Sequence, residues 1–170
     1  MMIDEMMPDW DWRVRHERVI AAPRGRVWQA ARAMTIRKLL RVRMLLWVRE
    51  VFSRLGGLPL ESFPVVAETQ GQEVVRCICG RFWALAGNIE EVAVEDMRAY
   101  ERAGSAKAYW NFWLEDAGKG QTRLVTETRV KVFGVREKRW FGWYWRVVGP
   151  FAGWIRQEIL KAVEREALRP

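Results

Sequence analysis

The sequence is poor in the side chains that most often build catalytic and metal centres. It has one histidine, His16, and two cysteines in 170 residues. We therefore expect no Ser-His-Asp or Cys-His group and no metal site with several histidines. Cys77 and Cys79 stand two apart on one face of a strand-like segment, an arrangement unsuited to a disulfide and short of ligands for zinc. We predict two reduced thiols, no bound metal and a cytoplasmic location.

Long apolar runs are also missing. Arg or Lys interrupts each candidate before the ~18 residues that a membrane span requires. The acidic start "MMIDEMMPDWDW" lacks the basic and apolar parts of a signal peptide, so we expect no export. Residues 1–11 are predicted to be a poorly ordered extension of a single domain over 1–170. No glycine-rich phosphate loop is found, and we predict no cofactor.

What the chain does have is tryptophan and positive charge. There are 11 Trp, and 29 Lys and Arg stand against 21 Asp and Glu, giving a net charge of +8. Tryptophan fills large spaces while placing one polar N–H, which indicates a lined pocket or an interface. Because the tryptophans could equally form a dimer patch, the sequence does not determine the oligomeric state. The charge favours anionic partners, or is simply a solvated basic surface. Because the arginines are scattered over every element, we expect no nucleic-acid binding.

Hydrophobic periodicity predicts an α+β domain. Residues 12–23 alternate as a strand, and a short helix follows. A basic amphipathic helical segment covers 35–57, and hairpin strands come next. The segments "SAKAYWNFWLED" and "TRLVTETRVKVF" are the clearest strands. One long helix over about 137–167 ends the chain and must cover one face of the antiparallel sheet.

The long helix is apolar over an unusually wide arc. One stripe holds Phe141, Tyr144, Val148, Phe151, Ile155, Ile159 and Ala162. Tryptophans widen the arc in the first half of the helix beyond what a sheet alone would cover. Pro150 removes a backbone donor, so we predict a kink near Gly149 and a gap between helix and sheet that could form a cavity.

The segment "VIAAPRGRVWQAA" resembles the first strand, Ala-Pro turn and first helix of the START-like, SRPBCC superfamily. The strand "TRLVTETRVKV" followed by "YWRVVGPFAGWIRQEIL" is similar to bacterial relatives of the polyketide cyclases and dehydrases. This resemblance covers about 19–167 and implies a helix-grip fold: a curved antiparallel sheet around a long C-terminal helix, with short helices between the first two strands. It further implies binding of lipids, sterols or polyketides, with cyclisation or dehydration in some members. The segment 35–57 is longer and more aromatic than the helix usually found at its place.

The predicted function is binding or transport of a hydrophobic or amphipathic small molecule between sheet and helix. The alternatives are a cyclase or dehydratase acting on such a ligand, and a peripheral protein that docks on an anionic membrane through 35–57. Taken singly, each predicted lining residue is also explained by plain core packing, and the prediction of a lining depends on the group. The predicted lining is Trp110, Phe112, Thr126, Thr128, Tyr144, Val148, Phe151 and Ile155.

Because side chains alternate along a strand, the side chain of His16 can face either the interior or the solvent. If Ile20 faces inward, His16 and Arg18 face inward too and could anchor a ligand. If Val19 faces inward, His16 lies in solvent. An enzyme would need His16, Tyr144 or a carboxylate such as Glu127 as its acid or base.

Overall fold

The computed structural model describes residues 1–34, 63–83 and 89–169. Three helices and six strands lie in these ranges. The predicted amphipathic segment 35–57 lies outside them. The described elements, in chain order, are α1 (Met2–Met6), β1 (Trp12–Ile20), α2 (Arg24–Arg32), β2 (Val65–Thr69), β3 (Glu73–Gly80), β4 (Ile89–Glu90), β5 (Ala106–Gly118), β6 (Gln121–Val132) and α3 (Val135–Ala167).

The strands form one antiparallel sheet in the order β1-β6-β5-β3-β2, with β4 paired to β3. The first strand therefore lies beside the last, and β5 and β6 form the long central hairpin. The hairpin strands predicted after segment 35–57 are confirmed as β2 and β3, and the two clearest predicted strands are confirmed as the paired β5 and β6. The α+β class with a long C-terminal helix is confirmed as well, and α2 is a short helix between the first two strands.

One face of the sheet, here called the inner face, packs against α2 and α3. In β1, Ile20 is fully buried while its neighbour Val19 is 44% exposed, so the frame with Ile20 inward is the correct one. Because side chains alternate along a strand, His16 and Arg18 also belong to the inner face. The largest buried cluster on this side joins α2, the sheet and the last third of α3, as shown by Ile20, Val27, Trp28, Phe112, Leu124, Ile159 and Val163.

Helix α3 has 33 residues, about 50 Å at the usual rise, and continues without interruption through Pro150. Phe141 is buried near its start, and Ile159 and Val163 are buried near its end. The helix therefore contacts the rest of the domain at both ends. Between these ends the helix crosses the inner face, with Gly153 against His16 of β1 and Arg156 over Trp110 of β5.

The other face of the sheet, the outer face, corrects the prediction for residues 1–11. These residues are not a loose extension. Helix α1 packs on the outer face, where Ile3 and Met7 are buried and the Glu73 carboxylate accepts a hydrogen bond of 2.6 Å from the Met2 backbone N–H. The acidic, Met-rich start resembled a solvated tail because its partners, the buried polar groups of β3 and β6, are distant in the sequence.

Candidate functional site

The four predicted lining residues on strands all lie on the inner face. Trp110 pairs with Thr128 and Phe112 with Thr126 across β5 and β6. Trp110 and Phe112 are only 6% and 4% exposed, and their rings contact at 5.3 Å between centroids. These two rings form an apolar floor beneath the central turns of α3.

The two threonines of this floor differ in their hydrogen bonds. The Thr126 hydroxyl accepts a bond of 2.8 Å from the Trp110 indole N–H and donates one of 2.9 Å to the Asn111 carbonyl. The Thr128 hydroxyl oxygen is buried and has no partner among the described residues. Thr126 therefore serves to fix the indole, while Thr128 retains an unused donor and acceptor.

His16 lies beside these threonines, opposite Thr126 in the β1–β6 register. Its Nε2 atom is buried and unpartnered among the residues that the structure describes. A Cβ atom on Gly153 of α3 would lie 3.3 Å from Nε2, so the absence of a side chain at this position lets the helix backbone pack closely against the imidazole. Burial lowers the pKa of His16, and the positive charge of Arg156 lowers it further, so the ring is neutral at pH 7.

Arg156 is a member of this group that the sequence reasoning missed. Its guanidinium carbon lies 4.2 Å from the centroid of the Trp110 ring, within cation–π distance. Burial lowers the pKa of Arg156 to about 9, which still leaves it charged at neutral pH. The available signal was a charged residue inside the apolar arc of the helix, one residue after Ile155 and three before Ile159.

The predicted lining residues on α3 lie in different parts of the structure. Ile155 packs against the cluster that contains Trp110 and Phe112, and Val148 is partly buried. Tyr144 belongs to an aromatic cluster at the start of the helix, with its ring 5.6 Å from that of Phe141. Of the predicted lining residues on α3, Ile155 is therefore the one that packs against the cluster of the floor, while Tyr144 is part of a separate packing unit.

The placement of Phe151 in the lining is wrong in this structure. Its side chain is 54% exposed and lies on an outward stripe with other large apolar side chains. The helical-wheel placement was rotated because α3 is apolar on both its inward and its outward faces, and the centre of the combined arc falls between them. The outward stripe consists of Trp140, Trp143, Val147, Phe151 and Trp154.

The carboxylate suggested for an enzymatic role does not reach the inner face. Glu127 is fully buried on the outer face, where it accepts two hydrogen bonds of 2.9 Å from Arg13 and one of 2.5 Å from Arg129. The paired charges hold this carboxylate in a structural network. Glu127 therefore cannot act as an acid or base together with His16.

The described residues offer neither a metal cluster nor a membrane-spanning helix. Within the described ranges, no three or more His, Cys, Asp or Glu side chains are grouped so that they could hold a metal ion. Cys77 and Cys79 are free and buried on the outer face. No described helix is both long enough and apolar enough to pass through a bilayer.

Two surface grooves are lined by described residues, and both are charged. One, of about 260 Å³, lies between Arg18 and the end of α3 at Lys161 and Glu164. The other, of about 390 Å³, lies between Arg26 and Arg169. Neither contains a residue of the predicted lining. The group of His16, Trp110, Thr128 and Arg156 on the inner face is named the inner site below, because it combines two buried polar atoms that lack a described partner with an arginine over an indole ring.

Known proteins resemble this chain only at the level of structure. No family model and no curated protein matches it. A structure from Thermus thermophilus is 19% identical, with a TM-score of 0.40, over 92% of this chain and 97% of that one. A conserved protein of Geobacillus kaustophilus is 12% identical, with a TM-score of 0.48, over 92% and 95%. The Zhui aromatase/cyclase of Streptomyces sp. R1128 is 14% identical, with a TM-score of 0.36, over 92% and 93%.

These likenesses are distant and concern the fold alone. The strand order of this chain, with the first strand beside the last and a long C-terminal helix across one face, is the helix-grip arrangement. The chain thus has the fold that its resemblance to the START-like, SRPBCC superfamily implied. The inner site lies between the two parts of that fold, the sheet and the helix.

Proposed function

We propose that the protein binds and carries an apolar or amphipathic small molecule between the inner face and the central turns of α3. The observation that carries this proposal is a pair of buried polar atoms without partners among the described residues, His16 Nε2 and Thr128 Oγ1, on the same face of the sheet as the Trp110 ring. Buried polar atoms in folded proteins are nearly always hydrogen-bonded, so two on one apolar floor indicate a place where a ligand is oriented.

A carrier is favoured over an enzyme. Catalysis of cyclisation or dehydration needs an acid and a base that face the same ligand. His16 supplies one titratable group to the inner site, but Glu127 lies on the opposite side of the sheet with two arginines. The enzymatic alternative stays a prediction, and so do docking on an anionic membrane through 35–57 and the absence of nucleic-acid binding. We also propose a cytoplasmic location, as expected from the sequence.

The test is to identify the ligand and then to block its site. Protein that is purified under native conditions and then denatured should release a small molecule of mostly apolar structure, which mass spectrometry identifies. A panel of lipids and polyketides should include compounds that raise the melting temperature, since a ligand at 100 times its Kd stabilises the native state by about 2.7 kcal/mol.

Gly153→Leu provides the blocking variant, because its side chain would press directly on the imidazole at His16 Nε2. Gly25→Leu is the matched control: it is also a helical glycine, and a Cβ there meets nothing within 4 Å. Ligand-induced stabilisation should be lost in the first variant and kept in the second. Equal stabilisation of both variants, or no thermal shift with any compound, would count against a ligand site at this place.

A further inference from the structure

The inner site contains a positive charge that the described residues do not neutralise. Arg156 lies on the sheet side of α3, and its guanidinium rests on the Trp110 ring. Within residues 1–34, 63–83 and 89–169 it forms no ion pair. The nearby carboxylates of α3 already have basic partners: Glu158 pairs with Lys161 at 2.9 Å and Glu164 with Arg18 at 2.6 Å.

Arg156 is partly buried, so its guanidinium has lost part of its hydration without gaining an anionic partner among the described residues. Transfer of a charge from water into a protein interior is unfavourable, and a ring face offsets only part of that cost. The lowered pKa of Arg156 reflects the same loss of hydration. A negatively charged ligand group would restore the lost interaction, and the planar fork of N–H donors fits an oxygen anion.

The neighbouring unpaired atoms supply the remaining contacts. Thr128 pairs with Trp110 across the strands and has a hydroxyl without a described partner, and His16 approaches the helix at Gly153, one turn before Arg156. A hydroxyl and a neutral imidazole can each donate one hydrogen bond to an oxygen anion. Three donors of different kinds therefore lie on the inner face: Thr128 beside Trp110 across the strands, Arg156 over the face of the Trp110 ring, and His16 on the neighbouring strand β1. Phe112 and Ile155 provide apolar surface in the same cluster as Trp110.

We propose that the ligand of the inner site is an anionic amphiphile, whose carboxylate or phosphate oxygens are bound by Arg156, Thr128 and His16 and whose apolar part lies on the floor formed by Trp110 and Phe112. This inference deepens the proposed function and depends on it. It assigns Arg156 as the residue that selects for negative charge.

The experiment compares four ligands with the same ten-carbon chain: decanoate, decyl phosphate, 1-decanol and decylamine. Each displaces an apolar fluorescent probe from the full-length protein at fixed ionic strength. We expect decanoate or decyl phosphate to bind at least about tenfold more tightly than decanol, because charge-assisted hydrogen bonds are the strong ones. Decylamine should bind most weakly. The tighter of the two anions identifies the head group.

Arg156→Met keeps an unbranched apolar side chain and removes the charge, so it should abolish the preference for anions while decanol still binds. Arg146→Met is the matched control, since Arg146 also lies over a tryptophan ring, Trp143, but on the exposed side of the same helix. It changes the net charge equally and should keep the preference. Arg156→Gln repeats the test if the methionine variant does not fold.

Two results would overturn the inference. One is a wild-type protein that binds decanol as tightly as both anions; the proposed carrier function would then stand without selection for charge. The other is a preference that survives in Arg156→Met or disappears equally in Arg146→Met, which would assign it to the overall charge of +8. Failure of all four ligands and of the probe to bind would instead contradict the proposed function.

Discussion

The indole N–H of Trp110 donates a 2.8 Å hydrogen bond to the hydroxyl of Thr126, diagonally across β5 and β6. This bond distinguishes Thr126 from Thr128, although the two threonines occupy equivalent positions in the strand pattern of the sequence. The Thr126 hydroxyl has both its hydrogen-bonding roles filled within the protein, because it also donates a hydrogen bond to the Asn111 carbonyl. Thr128, two residues further along the same face, has a buried hydroxyl without a partner among the described residues.

Substitution of each threonine by valine, which has nearly the same shape, tests this difference. Thr126→Val leaves the buried indole N–H without an acceptor and should lower the free energy of unfolding by about 1–3 kcal/mol. Thr128→Val removes an unpaired hydroxyl and should leave stability unchanged or slightly raised, while weakening ligand binding. Urea unfolding measures both. A larger loss of stability in Thr128→Val than in Thr126→Val would show that the roles are reversed.

The stability of the protein should depend on pH through His16. Burial and Arg156 lower the pKa of His16 in the folded state, so the unfolded chain binds the proton more tightly. The free energy of unfolding should therefore be highest above about pH 6.5 and should fall as the pH decreases from there through the lowered folded-state pKa.

The comparison for this prediction is His16→Gln, which removes the only histidine. Urea unfolding over the range from mildly acidic to neutral pH should show a weaker pH dependence in the variant than in the wild type. The acidic groups with lowered pKa values, such as Asp4, lose their contribution at lower pH and are common to both proteins. Identical profiles for the two proteins would show that the imidazole is not buried in solution.

The charged network on the outer face should be important for stability. Arg129 is 2% exposed and binds the Glu127 carboxylate at 2.5 Å, the Met7 carbonyl at 2.8 Å and the side chain of Asp4. Arg129→Met should destabilise the protein by about 3–5 kcal/mol, because buried partners lose their donor.

Arg123→Met is the control on the same strand and face, since Arg123 pairs with Glu17 while both side chains are about 40% exposed. Its cost should be below about 1 kcal/mol. Chemical denaturation of both variants gives the comparison. Similar small losses would mean that α1 detaches readily and that water replaces the arginine.

Phe151 provides a test of the outward stripe. Because its side chain is 54% exposed, Phe151→Arg should change the free energy of unfolding by no more than about 0.5 kcal/mol and should leave uptake of an apolar probe unchanged. Phe112→Ala, at a site only 4% exposed, should cost about 3–5 kcal/mol. If Phe151→Arg abolished probe uptake without changing the thermal unfolding transition, Phe151 would be part of the ligand site.

Local patterns were enough to predict most of the elements. The alternation in β5 and β6 gave both strands and put Trp110, Phe112, Thr126 and Thr128 on one face, because the side-chain period of a strand is fixed by its backbone. The breadth of the apolar arc on α3 likewise showed that this helix has more than one apolar side. Neither pattern could indicate which side faces the sheet.

The α+β class, the central hairpin and the long terminal helix could all be read from the amino-acid order, since they depend on contacts between residues that are close along the chain. The packed domain was needed to show that α1 covers the outer face, that His16 points inward, that Phe151 points outward and that Arg156 rests on Trp110. Each of these depends on the rotation of one element against another. That rotation is set by packing between residues far apart in the chain, such as Trp110 and Arg156, and no local periodicity records it.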